Sequence, residues 1–129
     1  MAEKQFGLPR EERVRRSSEL DRIFREGRRL SERFIYVRYM PNGLGITRMA
    51  VAVPGKFGKA VRRNRAKRLF REAFRLHKHE MPRGLDIVFL PGRDWDNPPL
   101  SALEEGMTRI AGRLTREMQG SGHNRPDAT

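Results

Sequence analysis

Hydrophobic and polar positions alternate most regularly between Phe34 and Met40, a run rich in aromatic and β-branched residues that predicts a strand. Phe34, Tyr36 and Arg38 fall on one side of it, and Ile35, Val37 and Tyr39 on the other. Pro41-Asn42-Gly43 signals a turn before a second strand through Arg48–Val53. Leu85-Asp86-Ile87-Val88-Phe89-Leu90 is nearly continuous in apolar residues, as in a strand buried on both faces. Helical spacing appears three times. Leu20, Ile23 and Phe24 make a narrow stripe after a Ser17 or Ser18 cap and before Gly27. Ala66, Leu69, Phe70, Ala73, Phe74 and His77 recur at three- and four-residue steps. Leu103, Met107, Ile110 and Leu114 follow Ser101-Ala102-Leu103-Glu104, which reads as a capping box. The order is helix, strand, strand, helix, strand, helix. It predicts one small α+β domain with a central sheet packed by helices.

Boundaries follow from composition. Residues 1–13 are polar and predict a flexible extension, residues 14–117 the domain, and residues 118–129, rich in Gly and Ser, a disordered tail. At 129 residues the chain supports a single modest core. It has no cysteine, which removes disulfides, thiolate metal sites and cysteine nucleophiles together. No stretch approaches the ~20 apolar residues of a membrane span, and the N-terminus lacks a signal-peptide pattern, so a cytoplasmic location is expected.

Charge changes the picture most. The formal net charge is +12, and residues 56–78 hold ten Lys or Arg against a single acid, Glu72. Lys56, Lys59, Arg62, Arg63, Arg65, Lys67, Arg68 and Arg71 belong to this run. On the helix Asn64, Arg68, Arg71 and Arg75 lie opposite the apolar stripe, with Arg65 and Lys67 on its flanks. Arg62 and Arg63 lie near the helix N-terminus, where the macrodipole disfavours cations. Cations so placed imply an external polyanion, with nucleic acid first. A membrane surface would need the bulky apolar residues that the core requires. DNA readout would need a helix-turn-helix or a dimer element, and neither is evident.

Catalysis finds no support. The acids are scattered, Asp94 and Asp96 read as a turn, and His77-x-His79 offers two ligands at most. No catalytic residue, metal ligand or protein-bound cofactor is expected.

Lys59-Ala60-Val61-Arg62-Arg63-Asn64-Arg65-Ala66-Lys67-Arg68 resembles the signature helix of the bacterial ribonuclease P protein family, with Arg-Asn-Arg followed by x-Lys-Arg. The resemblance runs from about Val14 to Leu114. It implies a left-handed β-α-β crossover into the last strand. It also implies two partners, the catalytic ribonuclease P RNA and precursor tRNA. The RNA subunit, which requires Mg2+, removes the 5′ leader of precursor tRNA, and the protein assists. Lys56, Lys59, Arg62, Arg63, Asn64, Arg65, Lys67, Arg68 and Arg71 are the implied contacts to the catalytic RNA. Leu20, Phe24, Tyr36, Arg38 and Arg93 are the implied leader-binding positions. Leu20 stands where the family usually carries Phe, and Pro54-Gly55-Lys56 where Ser-Lys-Lys is common. One stacking surface and one positive charge are thereby absent. The alternative is a small basic RNA-binding protein of ribosomal type with no processing role.

Overall fold

A computed structural model describes residues 9–124. After a 3-10 turn at Arg10–Glu12 come α1 (Ser17–Glu26), β1 (Arg28–Glu32), β2 (Ile35–Pro41), β3 (Arg48–Val51), α2 (Ala60–His77), β4 (Leu85–Pro91) and α3 (Leu100–Asn124). The four strands form one sheet in the order β1-β2-β4-β3. β2 pairs antiparallel with β1 and β4, whereas β3 runs parallel to β4 and reaches it through α2. The expected α+β order holds, with β1 as an added strand. Its sequence, Arg-Arg-Leu-Ser-Glu, has one apolar residue and no strand signal of its own; pairing with β2 from Arg28↔Tyr39 to Glu32↔Ile35 makes it a strand.

The alternation in β2 sorts its side chains as expected, with Ile35, Val37 and Tyr39 buried. They join Met49, Ile87 and Phe89 on the sheet face covered by α2 and α3. Ala66, Phe70, Ala73 and Phe74 come from α2, and Leu103, Met107, Ile110 and Leu114 from α3. Phe70 stacks on Phe89 with ring centroids 5.7 Å apart, and Phe74 lies 5.9 Å from the same ring. Truncating such a ring to Ala costs ~3–5 kcal/mol. The opposite face is thinner. Val14 and Ile23 pack there on Val88, joined by Leu20, Met40, Ala50, Ala52 and Leu90.

β4 carries the buried carboxylate of Asp86, 6% exposed. Arg48 on the adjacent β3 grips it through Nε at 2.9 Å and Nη2 at 2.7 Å, and Asn42 Nδ2 donates at 2.9 Å. Three donors offset the desolvation of the charge. Asn42 also accepts from the Leu44 N–H and donates to the Ile46 carbonyl, which closes the turn between β2 and β3.

Several boundaries move. The extension is ordered from Pro9: Arg13 bridges Met49, the Val14 N–H donates to the Met49 carbonyl, and Glu12 pairs with Lys78 at 2.7 Å. Residues 1–8 lie outside the described residues. The expected tail begins too early, because α3 runs to Asn124. Met118 packs against the core, while Glu117 pairs with Arg28 and accepts from the Tyr39 hydroxyl, so residue 118 is inside the domain. Residues 125–129 are not described. Neither expected serine cap forms. α1 starts at Ser17 behind Arg16, whose carbonyl takes the Glu19 and Leu20 N–H groups. In α3 Ser101 lies within the first turn, and Glu104 is drawn instead to His77.

Candidate nucleic-acid interface

The apolar stripe of α2 faces the sheet as its spacing requires, which leaves its cations on the solvent side. Ala66, Phe70, Ala73 and Phe74 are buried, and Leu69 and His77 are half-buried. The first turn contains no acid, and Lys59, its N-cap, makes no side-chain capping bond. Arg75 finds Glu72 at 2.6 Å and Lys78 finds Glu12. Lys56, Lys59, Arg62, Arg63, Arg65, Lys67, Arg68 and Arg71 form no ion pair among the described residues. Instead, several are fixed by neutral partners. Arg63 Nη1 donates to the Gly58 carbonyl at 2.8 Å, and Arg65 Nε to Asn97 Oδ1 at 2.7 Å. Arg62 lies over the Phe57 ring, 4.5 Å from its centroid. Partial desolvation, then the nearby charge of Arg13, depresses the Arg71 guanidinium below its ordinary value. Asn64 and Arg68 are exposed to solvent. This is an electropositive face held in place and left without counter-charge.

The second expected surface forms only in part. Phe24 from α1, and Tyr36 and Arg38 from β2, share a groove of about 400 Å³ with Arg29, Ser31 and Leu90. Strand register brings them together, since Arg29 pairs with Arg38, and Tyr36 lies between Ser31 and Leu90. Phe24 and Tyr36 expose aromatic surface, 36% and 37%. Leu20 is not in the groove; it packs beside Val14, Ile23 and Val88 under α1. Arg93 is exposed on the turn leaving β4, outside the groove. Arg29 and Ser31 escaped notice because they lie on the strand that the sequence does not announce.

Arg38 does more than line this groove. Its Nη2 donates to the carbonyls of Phe24 and Gly27 at the end of α1, and its guanidinium lies 5.9 Å from the Phe24 centroid. Its buried Nε has no partner among the described residues. A Cβ at Gly27 would stand 2.5 Å from the Ile23 carbonyl oxygen and 2.9 Å from that of Tyr39, so only glycine lets α1 end this close to β2.

Nothing in the described residues assembles a catalytic centre. No group of three or more His, Asp or Glu side chains is placed to hold a metal ion. His77 is spent on structure: Nδ1 meets Glu80 and Nε2 meets Glu104, each at 2.9 Å, tying α2 to α3. Asp94 and Asp96 are exposed in the loop after β4. No helix among the described residues is long and apolar enough to cross a membrane.

A small α+β domain with an uncompensated basic helix face and an aromatic, cationic groove is a polyanion-binding protein, of the class that holds RNA. The family model of Ribonuclease P matches residues 8–115, and the chain belongs to that family. It is 37% identical over 100 residues to the ribonuclease P protein component of Pelotomaculum thermopropionicum, covering 78% of this chain and 89% of the relative. The corresponding protein of Caldanaerobacter subterraneus is 41% identical over 98 residues, covering 76% and 84%. The solved RNase P protein from Thermotoga maritima superposes with a TM-score of 0.71 at 34% identity, covering 79% of this chain and 96% of that one.

Proposed function

We propose that the chain is the protein subunit of a ribonuclease P ribonucleoprotein. It binds the catalytic RNA through the solvent face of α2 and the 5′ leader of precursor tRNA through the groove over β2. The observation that carries this reading is the run of α2 cations fixed by neutral partners with no carboxylate to neutralise them. Such a face releases counterions when phosphates dock, which makes binding favourable and salt-dependent. Arginine's planar fork grips phosphate at two points, and Asn64 offers both a donor and an acceptor to sugar or base edges.

The groove suits a single strand, because Phe24 and Tyr36 present ring faces for bases and Arg29 and Arg38 bring positive charge. Hydrolysis then belongs to the RNA and to the Mg2+ it requires. The described carboxylates do not cluster to hold that ion. Precursor tRNA as substrate puts this work in the cytoplasm. Reconstitution with a bacterial ribonuclease P RNA, assayed on precursor tRNA at low Mg2+, tests the reading. The protein should lower the Mg2+ requirement and leave precursor tRNA intact by itself. An unchanged Mg2+ requirement would favour the ribosomal-type alternative.

A further inference from the structure

Beside the N-terminus of α2 lies a cavity of about 580 Å³, lined by Lys59, Arg62, Arg65, Trp95 and Asn97. Its floor is aromatic. Trp95 lies 5.2 Å from Phe70 of the core and 6.2 Å from Phe57, which in turn carries the Arg62 guanidinium. Arg62 is exposed, and beyond the Phe57 ring its guanidinium makes no ion pair or hydrogen bond among the described residues. Gly58 makes this possible: a Cβ there would stand 2.7 Å from Arg62 Cδ and push the side chain off the ring. On the far wall Asn97 holds a left-handed backbone, φ 50°, and its Oδ1 accepts from Arg65. That bond leaves the Asn97 amide nitrogen as a donor at the cavity.

We infer that this cavity is a nucleobase site, in which one unpaired base of a folded RNA stacks on Arg62 and hydrogen-bonds to Asn97. A guanidinium already parked on a ring loses little freedom when a base covers its outer face, and bases stack on arginine planes as they do on aromatics. A mere phosphate contact would need neither the ring beneath Arg62 nor the amide opposite. The site rests on the proposal that α2 binds RNA, and adds a stacked base to contacts made mainly to phosphate.

The test separates stacking from charge. Binding of a bacterial ribonuclease P RNA is titrated with the parent and with Arg62→Lys, Arg62→Ala, Gly58→Ala and Asn97→Ala, following the fluorescence of Trp95, the sole tryptophan. Arg62→Lys keeps the charge but has no plane. It should lose affinity nearly as much as Arg62→Ala, from about fivefold to a hundredfold. The salt slope should fall only for Arg62→Ala. Gly58→Ala, which leaves Arg62 in the chain but displaces it, should lose affinity and blunt the Trp95 response. Circular dichroism checks that each variant folds. If Arg62→Lys binds like the parent, the base site is overturned. Losses at Arg65→Ala and Arg68→Ala would then still support the basic-face reading. If those two also bind like the parent, both readings fall.

Discussion

Arg38 is a helix cap as well as a wall of the groove, and this makes an exacting prediction about Arg38→Met. Methionine keeps most of the aliphatic stem and removes every donor. The charged donor to the Phe24 and Gly27 carbonyls contributes ~1.5–3 kcal/mol. The cation over the Phe24 ring adds ~0.5–1 kcal/mol. Against this, the substitution removes Nε, which is buried without a partner and costs about 1–3 kcal/mol while it stays so. With central values the balance is a loss of about 1 kcal/mol, or a fall in Tm of about 3–5 °C for a chain of this size. The same variant should weaken holoenzyme binding to precursor tRNA but not to mature tRNA, because Phe24 loses its fixed position. Tyr36→Ala is the control. Tyr36 is exposed and makes no side-chain hydrogen bond among the described residues, so its loss should leave stability within ~0.5 kcal/mol of the parent. It should still cost a stacking increment of ~1–3 kcal/mol on leader-bearing tRNA alone. Thermal unfolding by circular dichroism, with binding to the two tRNA forms, reads both variants. An unchanged Tm for Arg38→Met would refute the cap. Equal losses on both tRNA forms would remove these residues from the leader site.

Three further outcomes are expected. Asp86→Ala should destabilise by ~3–5 kcal/mol, since it strands the Arg48 guanidinium with only Glu19 at 3.5 Å; urea unfolding measures it, and a loss under ~1 kcal/mol would mean the pair does not hold β3 to β4. His77 is held above its ordinary 6.5 chiefly by its hydrogen bond to Glu104 and further by Glu80, against desolvation. Its contribution is therefore complete below about pH 6.5 and is lost as pH rises through the raised value. Glu80, lowered from 4.5 chiefly by His77, loses its share only as pH falls through its own depressed value. Tm should thus decline as pH rises above about 6.5 in the parent and stay flatter in His77→Gln; parallel curves would refute the clamp. Arg65→Ala and Arg68→Ala should each weaken assembly with the catalytic RNA by roughly tenfold and flatten its salt dependence. Both residues are exposed, so Tm should barely move, and equal losses of Tm and binding would mark them as part of the fold.

What could be read from the chain was whatever a local period encodes. The alternation from Ile35 to Tyr39 and the stripe from Ala66 to Phe74 each record one buried face, and both faces are buried. The basic face of α2 follows from the same stripe, since cations excluded from it have only solvent to face. Pairing at a distance was not legible. β1 exists because β2 offers it an edge, and with β1 came Arg29 and Ser31 of the groove. Leu20 falls one turn from the groove because α1 turns it inward with Ile23. Arg38 carried no sign that its donors would serve the end of α1, fourteen positions back in sequence at Phe24. Glu104 formed a plausible capping box with Ser101, and His77, brought near by folding, won its carboxylate.

The sheet has two edges, β1 and β3, and each is partly covered. Val14 closes β3 with a main-chain bond to Met49, and Arg113 reaches the Ser31 carbonyl on β1. Each cover shortens the stretch of strand edge on which a neighbouring chain could grow. Crowded onto RNA at high concentration, copies of this protein are drawn together by charge more readily than through their backbones. Association of that kind is ionic, and salt weakens it.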